Sequence, residues 1–219
     1  PLDHGKSFLA EYFRILTLFF RRKDIIIIIC FFLFYRFAEA QLVKMVAPFL
    51  LDAREKGGLG LSTAEVGWIY GTVGVVALML GGLLGGWAIY RKGLKFWLWP
   101  MVLIMNVPDL IFVYLANAQP DNILLIGGVL ALEQFGYGFG FTAYTMYMIM
   151  VSQGEYKTVF YAMGTGIMAL GMMLPAMMSG WIQEQLGYIN FYYWILITTI
   201  PGFIVTALVK IDPDYGKKT

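Results

Sequence analysis

Three charged side chains lie inside long apolar stretches of this sequence, where charge is unusual. Arg36 and Glu39 belong to the segment Tyr35–Ala40, and Glu133 is followed directly by Gln134. A charged side chain at membrane depth is costly, and it normally faces a partner or a water-filled cavity. The chemistry open to these groups is proton binding by a carboxylate and recognition of a charged solute by a guanidinium.

Helix geometry brings these groups to a similar depth. At about 1.5 Å per residue, Arg36 lies roughly 17 Å from Ile25, and Glu133 lies roughly 15 Å from the outer end of its own segment. Arg36 and Glu39 are three residues apart, so they share one part of a helix surface and can pair. We predict a polar cavity between two helices, with Glu39 and Glu133 as proton-coupling candidates. The alternative is an ion-pair network that only joins the helices.

Other polar and aromatic residues extend this candidate site. Besides Arg36, the candidates for lining the cavity or binding a solute are Gln41, Gln134, Tyr137 and Tyr144. Stacking on a sugar and packing in the core are equally good explanations for the two tyrosines.

Three polar residues in the apolar segments have simpler explanations. Lys44 lies near the outer end of its segment, where its side chain reaches the interface. Asn106 and Asp109 flank Pro108, which frees backbone carbonyls. We expect these two residues to have a structural role, with the acid in contact with water.

The sequence offers little for catalysis or metal binding. It contains one histidine, His4, and one cysteine, Cys30. Metal sites built on histidine and catalytic triads are therefore disfavoured, and there is no HExxH motif. We predict a protein that is not an enzyme, with no catalytic residues, no metal site and no cofactor.

The composition is that of an integral membrane protein. Apolar residues make up 59% of the 219 residues and charged residues only 14%, whereas an ordinary soluble domain has about 25% charged residues. A soluble fold of this length has too few polar residues here to cover its apolar surface. We therefore predict an all-α fold in lipid.

Six apolar segments are long enough to cross a bilayer, which needs about 20 residues. They are Ile25–Leu51, Glu65–Tyr90, Phe96–Asn117, Ile123–Met150, Val159–Ile182 and Ile189–Val209. We predict one six-helix bundle over residues 25–210. Residues 1–24 are predicted to be a cytoplasmic linker with an interfacial helix at Ser7–Phe20, and residues 211–219 a cytoplasmic tail.

The positions of the basic residues predict the orientation. With six crossings, twelve of the 16 lysines and arginines fall on one side, which also carries both termini: Lys6, Arg14, Arg21, Arg22, Lys23, Arg91, Lys92, Lys95, Lys157, Lys210, Lys217 and Lys218. Arg54 and Lys56 fall on the other side. Cytoplasmic loops carry the excess of positive charge, so both termini are predicted to be cytoplasmic.

The two halves of the predicted bundle share one layout. The first helix of each half has a buried acid (Glu39, Glu133), the second is rich in glycine, and the third has an internal proline (Pro108, Pro201). Three helices per unit invert the second unit in the membrane. This 3+3 inverted repeat is typical of each half of a major facilitator transporter.

One loop resembles a motif of the same superfamily. Residues 86–95, GWAIYRKGLK, resemble the cytoplasmic loop motif G-x-x-x-[DN]-[RK]-x-G-x-[RK] at Gly86, Arg91, Gly93 and Lys95. Tyr90 stands where the motif has an acid, so the resemblance does not extend to an ion pair of that acid.

The sequence is also similar to the AmpG-type muropeptide permeases. The similar segments cover most of residues 30–205 and are Tyr35–Ala40, Ala64–Gly67, Val73–Val76, Gly82–Gly86, Glu133–Gly140, Phe191–Tyr193 and Ile200–Gly202. The resemblance implies the C-terminal six-helix half of a twelve-helix transporter in the bacterial inner membrane. It also places Glu39 where the family has an intramembrane carboxylate.

From these observations we expect a proton-coupled importer that works by alternating access, with an anhydromuropeptide as the solute that the resemblance implies. The expected partners are an N-terminal half of the transporter, the lipid bilayer, protons and a small solute, and no nucleic acid. The alternatives are a facilitator-class transporter of another small solute and a membrane scaffold that does not transport.

Overall fold

The computed structural model describes residues 8–218, and side chains from Phe13 onward. Within that range the regular structure is helical, without strands. The α-helices are α1 (Phe8–Phe20), α2 (Ile25–Phe34), α3 (Phe37–Leu51), α4 (Thr63–Val66), α5 (Val75–Lys92), α6 (Leu94–Asn106), α7 (Leu110–Ala118), α8 (Ile123–Ser152), α9 (Lys157–Thr198) and α10 (Ile200–Leu208). A π-helix, Gly67–Gly74, joins α4 to α5, and 3₁₀ turns lie at Arg54–Lys56 and Val107–Asp109. The predicted all-α class is confirmed.

Five helical stretches of the described chain are long and apolar enough to cross a membrane, where the sequence predicts six. They are Ile25–Leu51, Thr63–Lys92, Leu94–Ala118, Ile123–Ser152 and Lys157–Leu208. The last is 52 residues long, far more than the ~20 residues that a bilayer requires. Its helical backbone is interrupted at Gly187, whose φ of 72° and ψ of 166° are non-helical.

Specific residues begin and interrupt these helices. Ser62 and Glu65 form a reciprocal capping box at the start of α4, which satisfies two free backbone N–H groups. Asn122 caps the start of α8, where its side-chain Oδ1 atom accepts hydrogen bonds from the backbone N–H groups of Leu124 and Leu125. Pro108 lies in the 3₁₀ turn between α6 and α7, because proline lacks the N–H that would continue an α-helix.

The buried apolar residues form two clusters. Members of the first cluster include Leu42, Phe49, Phe112, Leu130 and Tyr192. Members of the second include Phe31, Tyr35, Met105, Phe139 and Tyr144. Each of the segments 25–51, 94–118 and 123–152 contributes to both clusters, and its buried polar residues, apart from Ser152, lie at or near the boundary between the two contributions along the sequence. The fold therefore holds a polar layer between two apolar ones.

Glycines let α5 and α8 approach closely. A Cβ added to Gly81 would lie 2.1 Å from the carbonyl oxygen of Phe135, and a Cβ on Gly138 would lie 2.1 Å from that of Leu78. Gly85 likewise faces α8. Small residues at such positions allow helix backbones to contact each other. Gly86, in contrast, faces open space, because no described atom lies within 4 Å of the position that a Cβ would take there.

Helix α1 rests on the start of α9. The buried ring of Phe19 lies 5.6 Å from that of Phe160, and Arg22 donates to the carbonyl oxygen of Val151 at the end of α8. Burial lowers the pKa of Arg22 from its ordinary value. Phe13 is 62% exposed, so α1 exposes part of its apolar surface. The predicted location of this helix at the membrane interface stays a prediction.

Replacing Gly138 by alanine should destabilise the fold. The new methyl group would overlap the carbonyl of Leu78, and overpacking of this kind costs about 1–3 kcal/mol. Gly128→Ala on the same helix is the control, because nothing lies within 4 Å of its Cβ position, and alanine there favours the helix by up to about 1 kcal/mol. The free energy of unfolding, measured in detergent micelles, checks this. Equal effects of the two substitutions would contradict close packing of α5 on α8.

Candidate functional site

Seven buried polar residues make up the layer between the two apolar clusters, and we call them the polar layer. They are Arg36, Glu39, Gln41, Asn106, Asp109, Glu133 and Gln134. They come from α3 and the residue before it, from the α6–α7 break and from α8. Five of them are candidates from the sequence, and the structure buries all five.

Arg36 lies at the break between α2 and α3 and contacts α8. It is the N-cap residue of α3, with a φ of −112°. Its guanidinium donates a hydrogen bond to the hydroxyl of Tyr137 and lies 4.4 Å from the ring centroid of Phe141. The expected pairing with Glu39 is wrong, because the structure has no ion pair between these two described residues. The helix break removes the regular spacing on which that expectation depends.

Glu39 is 1% exposed, and its Oε1 atom has no hydrogen-bond partner among the described residues. Two residues further on, Gln41 accepts a hydrogen bond of 2.9 Å from the indole Nε1 of Trp194 on α9. The same amide donates to the carbonyl oxygen of Phe37 at 3.3 Å. Gln41 is therefore held in place at both ends of its amide, whereas one oxygen of Glu39 is left without a partner.

Glu133 and Gln134 bring the second carboxylate to the layer from α8. The amide of Gln134 donates to Oε2 of Glu133 over 3.0 Å. Oε1 of Glu133 is buried and has no partner in the part of the chain that the structure describes. Tyr70, in the π-helix, lies within electrostatic range of Glu133 and Glu39. The structure thus brings both predicted proton-coupling candidates into one buried region.

The expectation that Asp109 contacts water is wrong. The residue is 1% exposed, and neither of its carboxylate oxygens has a partner among residues 8–218. The charges of Glu39 and Glu133 act on it. Asn106, which donates to the carbonyl oxygen of Val102 at 2.7 Å, does have the expected structural role. Lys44 is exposed, as expected.

The two candidate tyrosines differ. Tyr137 contacts Arg36 and is partly buried. Tyr144 is fully buried and donates to the carbonyl oxygen of Phe32 at 3.0 Å. Its ring centroid lies 5.7 Å from that of Phe31 and 5.6 Å from that of Tyr35. Packing in the core accounts for the contacts of Tyr144.

The loop motif lies at an end of the bundle, away from the polar layer. Gly86, Arg91 and Lys95 are exposed, and Gly93 has a φ of 83°, a conformation that favours glycine. The C-terminal tail packs on this loop, since the N–H of Leu94 donates to the carbonyl oxygen of Tyr215 at 3.0 Å. Burial raises the pKa of Tyr215.

Two aromatic residues beside the layer are not site candidates from the sequence. Trp194 donates a hydrogen bond to Gln41. Tyr192 is fully buried within range of Glu133, and its hydroxyl has no partner among the described residues. Both lie in an aromatic run of α9, Phe191–Trp194, in which the sequence carries no signal for a polar contact. For Asp109 the signal is present, because an acid beside a mid-span proline is itself unusual.

The layer contains three carboxyl groups and one guanidinium, so full ionisation would leave a buried excess of negative charge. Burying an uncompensated charge is expensive, and binding a proton or a cationic group removes that cost. In the part of the chain that the structure describes, no three side chains of the metal-binding types are grouped to hold a metal ion. Carboxyl groups and a guanidinium of this kind are suited to proton binding and to recognition of a charged solute.

Comparison with known proteins gives relatives along almost the whole chain. The chain is 26% identical over 220 residues to "Putative transporter AmpG 1" of Rickettsia prowazekii, covering 95% of this chain and 47% of that protein. It is 21% identical over 199 residues to the "Anhydromuropeptide permease" of Escherichia coli K12, covering 91% of this chain and 39% of the permease. The chain is similar to AmpG-type transporters. This confirms the resemblance seen in the sequence.

The comparisons also bear on length and on enzyme activity. "Putative transporter AmpG 4" of Rickettsia conorii is 23% identical over 187 residues, or 85% of this chain and 44% of that protein. The chain therefore spans less than half the length of these relatives. All three are named as transporters or permeases, which agrees with the prediction of a protein that is not an enzyme. No family model matches the chain.

Removal of the Tyr137 hydroxyl should weaken the fold around Arg36. Tyr137→Phe keeps the ring but removes the acceptor of the buried guanidinium, and hydrogen bonds to charged groups contribute about 1.5–3 kcal/mol. Tyr193→Phe is the matched control, because Tyr193 is exposed, and surface substitutions usually change stability by less than about 0.5 kcal/mol. Unfolding in detergent micelles measures both. Similar small losses in both variants would argue against the Arg36 contact.

Proposed function

We propose that this chain is one six-helix half of a major facilitator transporter in a bacterial inner membrane. The observation that carries the proposal is the polar layer, in which Glu39 and Glu133 are buried between apolar helices, each with one oxygen that has no partner in the described part of the chain. A scaffold has no need of such costly groups, whereas a transporter uses them to bind protons and solute. The similarity to AmpG-type transporters supports the same conclusion.

Six spans follow if the chain reverses direction at Gly187. The stretch Lys157–Leu208 is too long for one crossing, and the non-helical backbone of Gly187 divides it into two segments of ordinary length. The spans are then Ile25–Leu51, Thr63–Lys92, Leu94–Ala118, Ile123–Ser152, 157–186 and 188–208.

Reciprocal packing supports a 3+3 inverted repeat. The second span of the first triplet, through α5, packs on the first span of the second triplet, α8. Conversely, the first span of the first triplet, through α2, packs on the second span of the second triplet, the first part of α9, where a Cβ added to Gly171 would lie 2.9 Å from the Cα atom of Leu33. Two units related by a pseudo-two-fold axis exchange contacts in this manner. Each unit also carries one acid of the pair Glu39 and Glu133.

Contacts between loops support the proposed topology, with both termini in the cytoplasm. The C-terminal tail bonds to the α5–α6 loop, and Arg22 bonds to the end of α8. An ion pair of 3.0 Å between Lys210 and Asp24 links these two pairs of regions, so all four lie on one side. On the opposite side Arg54 forms an ion pair of 2.7 Å with Asp121. The first side carries most of the basic residues, which marks it as cytoplasmic.

The proposed mechanism is proton-coupled import by alternating access. Glu39 or Glu133 binds the coupling proton from outside and releases it to the cytoplasm, and the change of charge resets the cavity. Arg36 holds a carboxylate of the solute, and its Nε atom has no partner among the described residues. The solute that we propose is an anhydromuropeptide, after the name of the Escherichia coli relative.

The proposed partner is an N-terminal half of similar size. The outward surface of α5 and of the first part of α9 exposes large apolar side chains, including Met79, Leu83, Met173 and Met177. Gly86 on α5 and Gly166 on α9 are open to a close neighbour. These surfaces suit another helical bundle and the lipid around it.

Glu39→Gln should abolish uptake that depends on a proton gradient, because an amide cannot bind and release the coupling proton. Labelled anhydromuropeptide is the solute, and the complete transporter containing this chain is reconstituted in proteoliposomes. Uptake should fall to that of empty vesicles, while an uncoupler should have the same effect on the unsubstituted protein. Glu55→Gln is the control, because Glu55 is exposed, and its uptake should be unchanged.

Two results would contradict parts of this proposal. Undiminished uptake by a well-folded Glu39→Gln variant would remove Glu39 from the coupling mechanism. Absence of uptake by the well-folded unsubstituted protein would exclude anhydromuropeptides and favour another small solute.

Thiol labelling should report the orientation. In a Cys30→Ala background, Lys56→Cys should react with a membrane-impermeant thiol reagent added to intact spheroplasts, because its loop is periplasmic in the proposed topology. Lys217→Cys should react only after the cells are opened. The reverse pattern would invert the proposed topology.

A further inference from the structure

The position of Asp109 is fixed by the break between α6 and α7. Pro108 cannot donate to the carbonyl oxygen of Ile104, so the chain forms the 3₁₀ turn Val107–Asp109 there. Gly136 of α8 packs directly on this turn: an added Cβ would lie 2.3 Å from the carbonyl oxygen of Ile104 and 3.3 Å from the Pro108 ring. Glu133 is three residues before Gly136, so it lies on the same part of α8.

The carboxyl group of Asp109 is buried without compensation. The residue is 1% exposed, and both of its oxygens lack a hydrogen-bond partner within the described chain. An ionised carboxylate in such a place would cost far more than the fold can readily offset, and the group becomes neutral instead by binding a proton. Buried polar groups are nearly always hydrogen-bonded, so each exception requires an explanation.

Groups on three helices bear on Asp109 or on its neighbours. Glu39 on α3 and Glu133 on α8 act on it with negative charge. Tyr192 on α9 is fully buried, its hydroxyl has no partner among the described residues, and it lies within range of Glu133. On α6 and α7 themselves, Lys95 and Tyr114 are exposed.

The one buried cation of the polar layer is directed elsewhere. Arg36 bonds to Tyr137 and stacks on Phe141, and it is not among the charges that act on Asp109. Three like-charged groups in one buried region do not ionise together, so a proton that leaves one of them favours retention of a proton by the others.

We propose that Asp109 is a third proton-binding residue of the polar layer, which holds a proton while Glu39 or Glu133 changes its charge. Binding transfers a proton from hydronium to one Asp109 oxygen, which breaks an O–H bond of hydronium and leaves water. Release returns the proton to water as hydronium and leaves the carboxylate. Its part in transport rests on the proposed function, whereas proton binding itself does not. The site then stores more than the one proton that Glu39 alone would carry.

Infrared spectroscopy with isotope-labelled aspartate tests this directly. The complete protein is labelled at the side-chain carboxyl carbon of aspartate and compared with its Asp109→Asn variant at neutral pH. The difference spectrum should show loss of the labelled carbonyl band of a protonated acid. Asp121→Asn is the control, because Asp121 is exposed and paired with Arg54, and its difference spectrum should show loss of an ionised carboxylate band instead.

Two further comparisons complete the test. Asp109→Glu keeps an acid but removes the label, so it should lose the same labelled band even where Asp109→Asn does not fold. Raising the pH should remove the band, and Glu133→Gln should shift the pH at which this occurs, whereas Asp121→Asn should not.

Loss of an ionised carboxylate band in place of the protonated band, in either Asp109 variant, would overturn the proposal. So would a pH dependence of the band that Glu133→Gln leaves unchanged. The spectra require neither solute nor gradient. A protein that fails to transport anhydromuropeptide can therefore still show the Asp109 proton, and a transporter without that proton would refute this inference alone.

Discussion

Burial of charge between apolar helices is the constraint on which the rest of this structure depends. Three carboxyl groups and a guanidinium lie between two apolar clusters, where each uncompensated charge is costly. The fold can hold them only if packing elsewhere is close. The contact of α5 with α8, in which Gly81 and Gly138 bring backbones together, supplies such packing beside the polar layer. Helix α8 therefore takes part both in the close packing that stabilises the fold and in the polar layer.

Three of the helix interruptions lie at the level of the polar layer. Arg36 stands at the α2–α3 break, and Asp109 ends the 3₁₀ turn between α6 and α7. The π-helix Gly67–Gly74 contains Tyr70, which is within range of both glutamates. Irregular backbone at membrane depth is tolerated where it is buried in protein or lines a cavity, and π-helical segments are frequent at functional sites. Regular helix is kept where the chain packs against apolar neighbours, and it is interrupted where polar groups converge.

The parts of this arrangement that follow from composition and local spacing could be predicted from the sequence. The apolar segments and the burial of Glu39 and Glu133 are of this kind. The predicted Arg36–Glu39 pair is wrong because a helix break at Tyr35 and Arg36 cancels the three-residue spacing. The predicted exposure of Asp109 is wrong because Gly136, on another helix, covers its turn. The bond from Trp194 to Gln41 joins residues 153 positions apart, and no local pattern encodes it.

The hydrogen bond of Arg36 to Tyr137 affects the carboxylates of the polar layer. An arginine paired with Glu39 would hold that acid ionised and fixed, which suits a structural network but not a group that must gain and lose a proton. In the structure the guanidinium instead bonds to a neutral hydroxyl and stacks on an aromatic ring, so its charge acts on Glu39 without a direct bond. One oxygen each of Glu39 and Glu133 is left without a partner among the described residues. A layer built only to join helices would satisfy these atoms, because unsatisfied buried groups weaken a fold. Their presence beside a cation that binds elsewhere favours exchange of protons over mere attachment of one helix to another.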